Sequence, residues 1–146
     1  HETVRQLGNV DFYVSALVAR WRPATRTLTW VNCGHPPAYL ADAEGHLTEL
    51  ENPTHPALGV DGWDPTFSTS RRELHSGERV ILVTDGITQR HTEGGGRFGV
   101  DGLERAVAGV EHPTAAATAM AILRAVSNCW REPLEDDGTV AVLAVA

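Results

Sequence analysis

The chain has 146 residues, 42% of them hydrophobic and 21% charged, with 12 basic and 19 acidic groups for a formal net charge of −7. That is ordinary globular composition, and the length suits a single domain, 1–146, with one sizeable core. The acidic balance disfavours nonspecific nucleic-acid binding, which needs a cationic surface, and no run is long and apolar enough to span a membrane.

No signal-peptide pattern opens the chain, and its first residue is His1 rather than Met, so a processed, trimmed or excised chain is expected. Residues 1–10 are polar and weakly patterned. Phe12 to Trp21 alternates and reads as a strand, Arg22 to Thr25 as a turn, and Thr27 to Val31 as the returning strand of a hairpin. Asn32 to Pro37 is a proline-stiffened turn, followed by short strands at Ala38 to Leu40 and His46 to Leu50. Asn52 to Pro65 holds three of the eight prolines and reads as a loop. Phe67 to Leu74 alternates, and Arg79 to Val83 is an apolar, β-branched strand. Val100 to Val110 has helical spacing. Pro113 suits the first turn of a second helix, whose apolar stripe runs through Ala119, Ile122, Leu123, Val126 and Trp130. Pro133 stops that helix, and Thr139 to Val145 closes the chain as a strand. Many strands in antiparallel hairpins with two late helices predict an α+β fold, an antiparallel β-sandwich flanked by helices, with Arg79 to Val83 as a central strand.

The most informative stretch is Arg79 to Gly86, in which a buried strand ends in Asp85 and Gly86 permits a sharp turn. A second acidic pair, Asp136-Asp137, precedes the last strand. Either pair alone reads as a solvated turn whose carboxylate bonds nearby backbone amides. Together they could build an oxygen-rich site for a hard cation, since adjacent carboxylates need a compensating charge. Asn32-Cys33-Gly34-His35 has three readings: a turn, a Cys-x-His metal pair, or a loop lining a site. Zinc would need more ligands at short spacing, and Cys33 and Cys129 are the only cysteines, far apart. They make no disulfide framework, which suits a reducing, cytoplasmic setting. Gly94 to Gly99 formally satisfies a dinucleotide fingerprint but does not follow a parallel strand, so it reads as a loop.

In chain order, Phe12 to Arg20, Val31 to Pro37, Pro56-Ala57-Leu58-Gly59, Leu82 to Thr88, Phe98-Gly99 and Asp136-Asp137-Gly138-Thr139 form a specific set. With it the chain resembles the metal-dependent serine/threonine protein phosphatases, the PPM family. It is similar above all to the bacterial branch of the sporulation phosphatase SpoIIE and of stress-response phosphatases that control sigma factors. The resemblance implies two Mn²⁺ or Mg²⁺ per intact domain, with Asp85 and Asp136 as metal ligands and Asp137 as a neighbour or secondary ligand. Gly86, Asn32, Gly34 and His35 would line the site. It also implies hydrolysis of phosphoserine or phosphothreonine on a regulatory protein, of the anti-sigma-factor antagonist type, in a partner-switching pathway.

Three departures from the family pattern are visible. Nothing before Phe12 matches the Gly-Asp-x-x-Asp and Asp-x-x-Gly-His-Gly elements that supply further ligands, Cys33 replaces a usual alanine, and Gln89 replaces a common acidic residue. The chain therefore reads as the C-terminal portion of a phosphatase domain, inactive alone. The alternative is a noncatalytic regulatory or binding module that keeps the sandwich without the metal cluster.

Overall fold

The computed structural model describes residues 1–7, 12–51, 53–62, 66–133 and 136–146. They fall into two compact units, His1–His35 with Glu51–Leu74, and Pro36–Leu50 with His75–Ala146.

The first unit opens on helix α1 (Glu2–Leu7), where the sequence shows no pattern. Six residues are too few to display an apolar stripe, and an isolated helix of that length is not stable by itself. Contacts hold it, among them Arg5 Nε donating to Asp61 Oδ1 at 3.1 Å. The expected hairpin is present as β1 (Ala16–Arg22) and β2 (Thr27–Cys33), paired in full register from Ala16↔Cys33 to Arg22↔Thr27. Phe12 and Tyr13, expected inside the first strand, precede it and are exposed. Strand β2 also extends through Asn32 and Cys33, which the proline-rich motif suggests are turn residues. Its first half pairs antiparallel with β6 (Ser70–Glu73) and its end pairs parallel with β5 (Thr54–His55). Two parallel residues leave no period-two signature, so β5 is hidden in the stretch read as a loop; Asn52 and Pro65 lie outside the described residues.

The second unit holds β3 (Tyr39–Ala41), β4 (Leu47–Glu49), β7 (Arg79–Val83) and β8 (Val140–Ala144) in the order β4-β3-β7-β8, all antiparallel. β7 is an inner strand of this sheet, as its apolar run predicts. Three helices belong to the same unit: the single turn α2 (Asp85–Thr88), α3 (Gly99–Ala108) and α4 (Ala115–Asn128). Tyr39 and Ala41 of β3 and Ile81 and Val83 of β7 form one core with Ile87, Phe98, Leu103, Val107, Ile122 and Val126. Alternate strand residues thus meet the apolar stripes of the helices, each buried Val, Leu, Ile or Phe side chain contributing roughly 1.5–3 kcal/mol. Thr114 caps α4, its Oγ1 accepting the Ala117 N–H at 3.1 Å, so Pro113 stands before the cap rather than in the first turn. The helix ends at Asn128, before Pro133 is reached. Gly45 lies in the β3–β4 turn at φ +94°, and a Cβ there would stand 2.8 Å from the Ala108 Cα. Glycine is required by both the conformation and the helix beside it. Among the described residues no helix is long and apolar enough to cross a membrane.

Arg79, at the start of β7, is 1% exposed. Its Nη1 donates to Thr118 Oγ1 of α4 and its Nη2 to the Asp42 carbonyl, each at 3.1 Å, while Nε has no partner among the described residues. Burial lowers the pKa of this guanidinium, with the charge of Asp42 acting in the opposite sense. A buried arginine held by neutral acceptors depends on each of them. Thr118→Val keeps shape and removes one acceptor, so the expected loss is about 1–3 kcal/mol by urea denaturation. A change within the error of the extrapolation would show that the hydroxyl is not needed.

Candidate functional site

In the antiparallel β7–β8 pair, Val83 stands opposite Val140. Whatever follows Val83 and whatever precedes Val140 therefore become neighbours at one end of the sheet. Thr84 joins the two sides. Its N–H donates to the Thr139 carbonyl at 3.1 Å, and its Oγ1 donates to the Asp137 carbonyl at 2.8 Å while accepting the Thr139 N–H at 2.9 Å.

Gly86 brings the backbones closer still. A Cβ at this position would lie 2.6 Å from the Asp137 carbonyl oxygen and 3.1 Å from that of Asp136. The sequence reading gives Gly86 the task of a sharp turn, and the structure corrects it. The chain enters α2 at Asp85, and Gly86 is absent from the positive-φ glycines. The residue is needed for a close approach of backbone, not for an unusual dihedral.

The consequence is that exposed Asp85 and exposed Asp136 line one cavity of about 260 Å³, together with Gly86, Gln89, Arg90 and Arg97. Asp136 Oδ1 accepts the N–H of Asp137 at 2.8 Å. Asp137 is exposed and meets this region through its carbonyl, accepting from Thr84 and lying against Gly86.

The cationic residues come from chain with no pattern to announce them. Arg90 is 5% exposed and donates to the carbonyls of Trp130, Glu132 and Pro133, which tethers the segment leading toward Asp136. Arg97 returns on the glycine-rich turn, through a bridge with His91, and its Nη1 donates to the Gln89 carbonyl at 2.6 Å. The Gln89 N–H in turn donates to the Asp85 carbonyl at 2.7 Å. Sequence reasoning passes over Thr84, Arg90 and Arg97. Thr84 could be found by its hydroxyl before Asp-Gly and Arg97 by its place in a glycine run, whereas nothing local marks Arg90.

Asn32, Gly34 and His35 belong to the first unit. The Asn32 side chain clamps its own turn, Nδ2 donating to the His35 carbonyl at 2.8 Å and Oδ1 accepting the His35 N–H at 2.9 Å. Gly34 has φ +71° and packs against Ala57, which ties this turn to the Pro56–Gly59 stretch. Cys33 is buried, and burial pushes its thiol pKa up, which disfavours a thiolate ligand.

Among the described residues, no three His, Cys, Asp or Glu side chains gather as a metal-binding group. Two exposed carboxylates on one cavity do fit the way Mg²⁺ is usually held, through one or two carboxylates with waters completing its shell. This donor set suits one hard cation, and a pair would need further ligands.

A family model described as Stage II sporulation protein E (SpoIIE) matches residues 1–146. No curated protein matches the chain in sequence. Among solved structures, the SiaA PP2C domain of Pseudomonas aeruginosa superposes with a TM-score of 0.77 at 18% identity, over 97% of this chain and 56% of that one. The phosphatase domain of the cell-fate determinant SpoIIE from Bacillus subtilis, presoaked with Mn, gives 0.73 at 15% identity, over 98% and 60%. A Mycobacterium tuberculosis structure of RsbU and RsbW domains gives 0.69 at 18%, over 88% and 35%. The mixed helices and antiparallel sheets thus match the PP2C phosphatase fold, and the chain spans 60% or less of the length of these neighbours.

Gly86→Ala is expected to destabilise the protein by about 1–3 kcal/mol, because the new methyl meets backbone that cannot rotate away. Unchanged stability would show that the approach relaxes freely.

Proposed function

The chain belongs to the SpoIIE family, and on that footing we propose that residues 1–146 form the C-terminal portion of a metal-dependent serine/threonine protein phosphatase domain. The observation that carries this reading is the single cavity shared by Asp85 and Asp136. Carboxylates at the joined ends of two strands give hard oxygen donors in a fixed arrangement, which is what Mn²⁺ or Mg²⁺ takes. Two cations bound in the intact domain supply an activated water and offset charge on the phosphoryl oxygens. Asp85 and Asp136 hold a cation, Thr84 and Gly86 keep the two carboxylates together, and Arg90 steadies the approach to Asp136. Asp137 is assigned a secondary place in the same shell. The assignment of Asn32, Gly34 and His35 to the rim rests on their motif.

The reaction breaks the P–O bond of phosphoserine or phosphothreonine with water, releasing inorganic phosphate and the free hydroxyl. We assign as substrate a bacterial regulatory phosphoprotein of the anti-sigma-factor antagonist type, in a cytoplasmic partner-switching pathway. The family match supports this, as does the likeness to a structure containing RsbU and RsbW domains. A noncatalytic regulatory module is the second reading, favoured by the lack of a three-ligand cluster among the described residues.

Residues 1–146 alone should bind Mn²⁺ weakly and turn over negligible p-nitrophenyl phosphate or phosphoserine protein. A chain extended upstream of His1 by the family's two aspartate elements should be active with added Mn²⁺. Robust metal-dependent turnover by the short chain would show the ligands to be misassigned, and an inert extended chain would favour the module.

In the active form, Asp85→Asn should remove most turnover while leaving the melting temperature equal or higher, because uncompensated like charge is removed. Retained turnover would remove Asp85 from the ligand set.

A further inference from the structure

We propose that Arg97 is the residue that receives the substrate's phosphoryl group, binding its oxygens from the cavity that Asp85 and Asp136 also line. The inference rests on the phosphatase reading and extends it to a contact that the metal ligands cannot make.

The argument begins with charge. The cavity is lined by two aspartates, two arginines and the neutral Gln89, besides Gly86. Two carboxylates alone repel a phosphate dianion. A phosphoester entering this space needs cationic surface from the protein as well as from bound metal.

The two arginines are not equivalent. Arg90 is buried, and its terminal nitrogens are committed to the carbonyls of Trp130, Glu132 and Pro133. Its work is to hold the polypeptide. Arg97 is exposed, and among the described residues only its Nη1 is engaged, by the Gln89 carbonyl at 2.6 Å. That bond fixes where the guanidinium stands while leaving Nε and Nη2 to donate in parallel. A planar fork of that kind matches two phosphate oxygens, which a lysine ammonium does not reproduce.

Placement is equally specific. The backbone runs Asp85 carbonyl to Gln89 N–H, then Gln89 carbonyl to Arg97, so the guanidinium is referenced to Asp85 through two hydrogen bonds. The turn that delivers it is itself closed, with the Thr92 N–H donating to Gly96 at 3.0 Å and the Phe98 N–H donating to Arg90 at 2.8 Å. Gln89 matters by being uncharged. A carboxylate at that position would draw the guanidinium to itself and add a third negative charge to the cavity.

The test uses inorganic phosphate as probe, on residues 1–146 and on the upstream-extended chain, each as wild type, Arg97→Gln and Arg97→Lys. Gln retains a donor toward the Gln89 carbonyl, so the turn is kept, and melting temperatures check that it is. With Mg²⁺ saturating, ³¹P line broadening on the short chain and product inhibition of the extended one should report the same loss. Arg97→Gln is expected to weaken phosphate about tenfold to hundredfold and to raise KM for a phosphoserine peptide in parallel. Arg97→Lys should recover part of the loss, and Mn²⁺ affinity should be the same in all three. Phosphate affinity within twofold of wild type in Arg97→Gln overturns the proposal even if turnover is robust. Loss of Mn²⁺ affinity in that variant also overturns it, by making Arg97 a support of the ligands. If the extended wild type has no turnover while phosphate binding still depends on Arg97, the phosphatase reading fails and the anion contact stands.

Discussion

The site depends on one close contact of main chain with main chain, where the missing side chain of Gly86 admits the carbonyls of Asp136 and Asp137. Backbone at this distance has no side-chain freedom with which to accommodate a mismatch. It makes two stretches 53 residues apart behave as one rigid corner, sewn by the Thr84 hydroxyl, which gives and takes a hydrogen bond at once. Two carboxylates brought to one cavity repel each other unless a positive charge offsets them. The β7–β8 register sets the corner in place, and the core against α3 and α4 sets the register.

The second unit handles its arginines in an unusual way. Arg79 and Arg90 are both buried, and both spend their donors on neutral oxygens rather than on acidic side chains. A guanidinium so used is a multidentate clamp for backbone and hydroxyl groups, and it leaves the carboxylates of Asp85 and Asp136 without a buried arginine partner. Had either been paired by a buried arginine, its charge would be neutralised before any cation arrived.

Much of the second unit is legible in the sequence because its elements are long enough to show their period. The run Arg79 to Val83, the stripe through Ile122 and Val126 and the closing strand all announce themselves. What escapes is short or non-local. Helix α1 has six residues, α2 four and β5 two, below the length at which apolar spacing speaks, and each is held by contacts made elsewhere. The pairing of Asp85 with Asp136 is suggested by their matching positions beside strands, but only the register of those strands brings them together. The purpose of Gly86 is misread because a glycine beside an aspartate looks like a turn, whereas a steric demand from distant chain leaves no local mark. Arg90 escapes for the same reason, since the carbonyls it binds lie 40 or more residues along the chain, and Arg97 is passed over because a glycine-rich stretch reads as a loop.

Strand β2 carries the first unit almost by itself, flanked by β1 along its whole length and by β6 and β5 along successive halves of its other edge. These pairings differ in how soon a folding chain can make them. The β1–β2 hairpin needs only the short turn at Pro23–Thr25 and can zip within its own neighbourhood. Strands β5 and β6 must close loops that contain both β3 and β4 of the second unit before their hydrogen bonds offset the lost entropy. The hairpin is therefore the natural seed of this unit, and β5 and β6 are late arrivals whose docking waits on distant chain. Newly made protein would pass through a stage in which one edge of β2 is satisfied and the other is open to water.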